Sequence, residues 1–172
     1  MTNIIVRGGV EFYIRDNYLP QDTYEMLYGK YMRTQLKDNE VHREFFDYDP
    51  TPEIANYINF FNKKRGYKKL AKWIHTAATP SNFQHKVHCD ADFKIMSAIV
   101  YIAPEESYGT SFYLKEQFDI EWKPNRLVIF CGEDDVTWHD YKSSDGMRFT
   151  YNYFLVDPTK IQRPDWKNRW IK

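Results

Sequence analysis

From residue 67 onward the chain reads as a succession of short apolar or alternating runs separated by turn residues. The runs are KLAKWIHTAA (69–78), FQHKVHCD (83–90), KIMSAIVYIA (94–103), GTSFYL (109–114), RLVIF (126–130), VTWHDY (136–141) and MRFTYNYFLV (147–156). Between them lie Pro80-Ser81-Asn82, Pro104 to Gly109, Pro124-Asn125, Gly132 to Asp135 and Ser143 to Gly146, the punctuation that strand-bounding turns require. KIMSAIVYIA and RLVIF are too continuously apolar to keep a solvent face, so both of their faces should be covered.

The first third reads differently. VEFYIR (10–15) alternates as a strand does and leads into Asp16-Asn17-Tyr18-Leu19-Pro20. Asp22 or Thr23 can then cap a helix running to about Tyr31, with Tyr24, Leu27, Tyr28 and Tyr31 at helical spacing. Residues 35–50 are charged and aromatic without a clear period, a loop region holding at most a short strand. This segment is either a lid over a site or an irregular edge packing its aromatics inward. A second helix is expected from Thr51 as N-cap and Pro52 at the first helical position to Gly66, with Ile54, Tyr57, Ile58 and Phe61 on one face. The basic run Lys63-Lys64-Arg65, with Lys68 and Lys69, reads as a solvated helix end. The tail from Gln162, with Trp166 and Trp170, has no period. The expectation is one domain over residues 1–172, mainly β with N-terminal helices (α+β). Its helices fall mostly in 20–66, and two packed sheets over about 67–157 form a double-stranded β-helix, or jelly roll.

Composition narrows the function classes. Aromatic residues make up 18% of the 172, which suits half-buried pleated surfaces. Lys and Arg equal Asp and Glu at 24 each, so no global field advertises a nucleic-acid or membrane partner. Cys89 and Cys131 form neither a CxxC nor a disulfide framework. With no apolar leader at the start and no membrane-length apolar run, the expected location is cytoplasmic.

The chemistry lies in a His-x-acidic pair. On a strand, residues two apart project from one face, so a His and a carboxylate are presented side by side. About 0.7 such pairs arise by chance from five His and 24 acidic residues in 172. The chain has two, His42-Arg43-Glu44 and His88-Cys89-Asp90. The first sits in a charged segment before a helix, with no sheet expected around it, and reads as surface polar residues. The second ends a strand-like run. His139 lies 51 positions after His88 on VTWHDY, Arg148 follows nine later on the next strand, and Thr150 shares its face. Two imidazoles and one carboxylate on one side of a metal leave three positions open for ligands. An Arg projecting into such a pocket needs an anion, and its planar fork matches a carboxylate. The far carboxylate of 2-oxoglutarate fits that role.

HxD, then G-T-x-F, then a distal His, then R-x-T resembles the 2-oxoglutarate/iron(II) dioxygenase superfamily, closest to its prolyl-4-hydroxylase-like branch. The similarity spans about residues 83–156, and the opening strand-DNYLP-helix is similar too. The resemblance implies His88, Asp90 and His139 as iron(II) ligands. It implies Arg148, assisted by Thr150, on the 2-oxoglutarate C5 carboxylate, and the Tyr101 hydroxyl on the cosubstrate. Gly109 and Thr110 match the turn before the strand that leaves the site. Many prolyl hydroxylases carry Lys where this chain has Arg148, which loosens any tie to proline. The implied activity is hydroxylation of an unidentified peptidyl side chain or small molecule using dioxygen, with release of succinate and carbon dioxide and with ascorbate a candidate reductant. Rival readings are a non-catalytic jelly-roll binding module and a nucleic-acid-modifying relative. For single residues, His88 and His139 as ordinary buried histidines, a structural zinc, and Tyr101 as plain core remain open. Cys89 is read as core, His85 as a rim residue facing away from His88, and Trp138 as packing away from the metal.

Overall fold

A computed structural model describes residues 2–36, 39–45, 54, 70–131 and 136–161. Seven strands form one antiparallel sheet in the order β1-β2-β8-β5-β10-β4-β3, and three form a second, β7-β6-β9. In chain order they are β1 (Thr2–Arg7), β2 (Val10–Arg15), β3 (His42–Phe45), β4 (Ala71–Thr79), β5 (Lys94–Ala103), β6 (Thr110–Tyr113), β7 (Gln117–Ile120), β8 (Leu127–Cys131), β9 (His139–Tyr141) and β10 (Arg148–Val156). Helix α1 (Gln21–Arg33) follows β2. No helix among the described residues is long and apolar enough to cross a membrane.

The two apolar runs expected to be covered on both faces are the centre of the large sheet. β5 and β8 pair with each other, and β10 lies on the other side of β5 with a nine-residue register to β4. One face of this sheet packs on α1. Leu27 is buried there with Phe149, Tyr151, Tyr153 and Leu155, and the Tyr24 hydroxyl donates to the Ile102 carbonyl at 2.9 Å. Part of the opposite face packs on the small sheet through Phe12, Phe112 and Phe130. Their rings meet edge to face at 4.7 and 4.9 Å, worth about 0.5–1.5 kcal/mol per pair beyond the area buried. The DNYLP segment is pinned to the β7–β8 turn. Asp16 takes a forked pair from Arg126 at 2.6 and 3.2 Å, and the Asn125 side chain bonds both backbone groups of Leu19.

Several expectations change. α1 begins at Gln21 with Pro20 at its cap and no capping side chain; Asp22 instead accepts from the Thr23 amide at 2.7 Å. The short strand that 35–50 could hold is an edge strand at 42–45 paired with β4, so His42 and Glu44 do have a sheet beside them. They remain exposed polar residues, as all of β3 is. β1 and β7 went unanticipated because TNIIVR and QFDI are short and abut turns. FQHKVHCD is not a strand: it touches its neighbour only at the bridges Gln84↔Lys142 and His88↔His139. The second helix is described only at Ile54, which is helical and buried in the core. The basic run 63–69, Phe46, Tyr48 and the Trp166/Trp170 tail lie outside the described residues.

Gly109 sets the approach of β6 to β7. A Cβ there would stand 1.7 Å from the Ile120 carbonyl oxygen, which is backbone and cannot swing aside. Gly109→Ala should therefore destabilise by about 3 kcal/mol, a drop in Tm of roughly 6–12 °C for a chain of this size. Thermal unfolding followed by circular dichroism checks it, and an unchanged Tm would mean the strands separate freely here.

Candidate metal centre

β10 uses both of its faces. Its odd residues enter the helix-side core, while Arg148, Thr150, Asn152 and Phe154 line a cavity of about 800 Å³. β4 runs beside it with Thr79 opposite Arg148, Ala77 opposite Thr150, His75 opposite Asn152 and Trp73 opposite Phe154, and those four line the same cavity. His88, Asp90 and His139 stand over this floor, with one potential ligand atom from each within 4.8 Å of the others.

The irregular backbone before each histidine has a physical cause. The carbonyl of Lys86 accepts from His88 Nδ1 at 2.9 Å and also from His85 Nδ1 at 2.9 Å. The carbonyl of Thr137 likewise accepts from His139 Nδ1 at 2.8 Å. A carbonyl can only accept, so Nδ1 carries the proton in each ring and Nε2 keeps its lone pair. Carbonyls turned onto imidazoles do not serve a strand ladder, which explains why 83–90 is not a strand and why β9 starts only at His139. Holding the far nitrogen in this way is how proteins orient metal-binding histidines.

Asp90 is buried, and burial alone would push its carboxyl up. The Lys94 ammonium at 2.6 Å from Oδ1 and the Ser97 hydroxyl at 2.6 Å from Oδ2 outweigh that and hold it at about 2. It is therefore an anion at neutral pH. Burial lowers His88 to about 4, with the facing His139 adding to the effect. Burial also lowers His139, against the pull of Asp90. The three groups thus present two neutral imidazoles and one carboxylate, the donor set that suits a divalent transition metal.

Arg148 is buried to 3% exposure. Its guanidinium carbon lies 4.7 Å from the Tyr141 ring centre, 5.2 Å from Trp122 and 5.4 Å from Tyr101. Nε and Nη2 have no hydrogen-bond partner among the described residues. Burial lowers its pKa without threatening its charge, because the starting value is so high. A buried guanidinium with two unpaired donors is costly unless an anion joins it. Thr150 is buried beside it and accepts from the Asn152 amide at 3.0 Å, which leaves its own hydroxyl proton to donate. Tyr101 is wholly buried, stacked on Trp122 at 4.6 Å, and its hydroxyl is hydrogen-bonded to that of Thr110 at 2.8 Å.

All six residues singled out in the sequence therefore lie in or against one cavity. Three side readings change. His85 does not face away from His88; the rings are 4.3 Å apart and both line the cavity, because the segment lacks strand alternation. Cys89 is half-buried rather than core. Trp138 points away from the cavity but is 39% exposed. Sequence reasoning missed Lys94 and Ser97 on Asp90, Trp122 and Tyr141 around Arg148, and Thr79 and His75 on the floor. Only His75 and Thr79 left a signal, lying four positions apart on or at the end of a strand-like run.

The arrangement of the two sheets is a known one, the fold shared by solved prolyl hydroxylases and 2-oxoglutarate/iron(II) oxygenases. A viral collagen prolyl hydroxylase of Paramecium bursaria Chlorella virus-1, in complex with 2-oxoglutarate, superposes with a TM-score of 0.65 at 14% identity, over 84% of this chain and 94% of that one. A prolyl hydroxylase of Trichoplax adhaerens, in complex with a hypoxia inducible factor peptide fragment, gives 0.62 at 15%, over 86% and 84%. An oxidoreductase of the 2OG-Fe(II) oxygenase family from Burkholderia pseudomallei gives 0.60 at 10%, over 84% of each chain. No protein-family model and no curated protein matches the sequence. At such identities the likeness concerns the fold, and chemistry has to come from the residues.

His75 supplies a check on the cavity wall. Burial, helped by the charges of Arg43 and Lys94, lowers it to about 3. An unfolded histidine titrates near 6.5, so between about pH 6.5 and 3 the unfolded chain binds more protons and stability falls as pH falls. His75→Leu removes this dependence. The variant should match or exceed the parent near neutral pH, because a buried unpaired Nδ1 is lost. Its advantage should grow by on the order of 3 kcal/mol on acidification through that window. Urea unfolding at several pH values reads the difference; parallel pH curves would show that His75 is protonated in the fold.

Proposed function

We propose that this chain is an iron(II)- and 2-oxoglutarate-dependent oxygenase that hydroxylates a peptidyl side chain or a small molecule, its two sheets forming one jelly-roll domain. The observation that carries this reading is the meeting, in one cavity, of a two-histidine, one-carboxylate cluster with a buried guanidinium whose donors are unpaired. Each feature alone has other uses. Together they suit a metal and a dianion that bridges from it to the arginine.

In this reading His88 and His139 hold iron(II) through Nε2 and Asp90 through a carboxylate oxygen. Lys86 and Thr137 fix the rings, while Ser97 and Lys94 keep Asp90 ionised and aimed. Arg148 takes the far carboxylate of 2-oxoglutarate in a forked pair, with Thr150 donating beside it. Tyr101 sets the guanidinium's position and offers its hydroxyl toward the cosubstrate. Ile99 and Phe130 keep this end of the cavity apolar, which strengthens every charged contact inside it. Iron and 2-oxoglutarate, when bound, supply the oxidising power for C–H hydroxylation, with dioxygen consumed and succinate and carbon dioxide released.

Anaerobic protein given iron(II) and 2-oxoglutarate should develop the weak visible charge-transfer band of a chelated 2-oxo acid. Asp90→Ala and His139→Ala should each abolish it, and Glu44→Ala should leave it intact; a band that survives Asp90→Ala places the metal elsewhere. Arg148→Met should weaken 2-oxoglutarate binding by about 2–5 kcal/mol while iron affinity stays within a few-fold, with Arg148→Lys between. Unchanged cosubstrate dependence of uncoupled succinate formation in Arg148→Met would overturn the assignment of that residue.

A further inference from the structure

The cavity continues past the metal, away from Arg148, and that end has its own chemistry. Its walls are the rings of Trp73, Phe93, Phe154 and Phe45. Among them sits His75, 4% exposed, its ring 5.0 Å from Phe45 and 5.3 Å from Phe154, with Nδ1 unpartnered among the described residues. Arg43 is one strand over. β3 pairs Phe45 with His75 and Arg43 with Ala77, so residues 43 and 45 share the cavity face while Glu44 turns away to pair with Lys30 of α1. A guanidinium and an unpaired imidazole nitrogen therefore stand diagonally across two strands, within reach of one small group.

The charge balance gives the sign of that group. Described cavity residues include four cations, Arg43, Lys94, Arg148 and Lys160, against two carboxylates, Asp90 and Asp92. Iron(II) and dianionic 2-oxoglutarate cancel one another, so loading the site leaves the positive surplus in place. Lys94 is held by Asp90, Arg148 faces the cosubstrate in the proposed reading, and Lys160 reaches only the Asp92 backbone carbonyl at 3.3 Å; of the cations with no carboxylate partner among the described residues, Arg43 is the one that stands beside His75. A cavity of about 800 Å³ holds a cosubstrate and a second molecule of modest size.

We infer that the primary substrate is a compact carboxylic acid with a flat apolar body, its carboxylate bridging Arg43 and His75 and its body lying against Trp73, Phe93 and Phe154 beneath the metal. The inference rests on the oxygenase reading and adds to it the substrate class. His75, kept neutral by its surroundings, donates from Nδ1 to one carboxylate oxygen, and Arg43 donates to the other. The same carboxylate can belong to a free acid or to a Glu beside an aromatic residue in a peptide.

The test uses the full chain loaded anaerobically with cobalt(II) and 2-oxoglutarate, each binding step measured first by calorimetry. Phenylacetate and phenylacetamide are then titrated, along with a capped hexapeptide carrying Glu next to Phe and a matched Gln peptide. At least one acid should bind about tenfold or more tighter than its amide, the value of a charged hydrogen bond. Arg43→Met and His75→Leu, each saturated with metal and cosubstrate beforehand, should each shrink that ratio toward one. Preference for the free acid names a small molecule, and preference for the Glu peptide names a protein. Normal loading with equal binding of acid and amide, or a preference that survives Arg43→Met, overturns this inference alone. Binding of a single-stranded oligonucleotide in place of both acids also overturns it. Failure of 2-oxoglutarate to bind in a metal-dependent way overturns the oxygenase reading and this inference together.

Discussion

The period of two along β10 is the constraint on which everything else depends. A strand between two neighbours must send alternate side chains to opposite faces. Phe149, Tyr151, Tyr153 and Leu155 therefore fill the core beneath α1, while Arg148, Thr150, Asn152 and Phe154 face the cavity. A slip of one residue would bury the guanidinium in the helix-side core and turn four large apolar side chains toward His88, Asp90 and His139. The nine-residue ladder to β4 and the pairing to β5 hold the register from both sides. Site geometry and core packing are thus one requirement, and the helix that never touches the cavity still fixes where Arg148 points.

The metal cluster obeys a different economy. Its residues come from the places where the ladder lapses, and the lapse is what frees the backbone to hold the rings. Lys86 and Thr137 give their carbonyls to imidazoles, while the bridge between His88 and His139, at 3.0 and 2.8 Å, keeps the two segments together. A regular strand would have paired those carbonyls across the sheet and left each imidazole free to choose its tautomer. Irregularity here is therefore part of how Nε2 is aimed.

The sequence disclosed the large sheet well and the segment around His88 poorly. β5 and β8 are almost continuously apolar and bounded by turn residues, and β10 is long with one aromatic and aliphatic face, so residue type alone marks them. Alternation in FQHKVHCD imitates a strand, and nothing local reveals that Lys86 serves two rings. The grouping of His88, Asp90 and His139 was legible because their spacing is set by the strands between them. Their supports were not, since Lys94, Ser97, Trp122 and Tyr141 reach the site through pairings that a single chain does not display. β3 showed only as a short strand without bounds inside 35–50, because a four-residue exposed edge strand has no apolar face to announce it.

The distribution of unmet hydrogen bonds carries the last step. Buried polar atoms without a partner are rare in folded proteins, since each costs about 1–3 kcal/mol. Here the Arg148 Nε and Nη2, the Thr79 hydroxyl and the His75 Nδ1 all lie on one cavity wall, along two paired strands. Arg148 and Thr79 stand directly opposite one another at one end, and His75 lies four residues from Thr79 along β4. A wall that only packed would place apolar groups at these positions. Unmet polar atoms at two separated points, with the His-Asp-His cluster above the floor, fit the proposed reading of two ligands bound side by side. In the proposed reading the donors of Arg148 meet the far carboxylate of the cosubstrate, and His75 Nδ1 is left over for a different molecule.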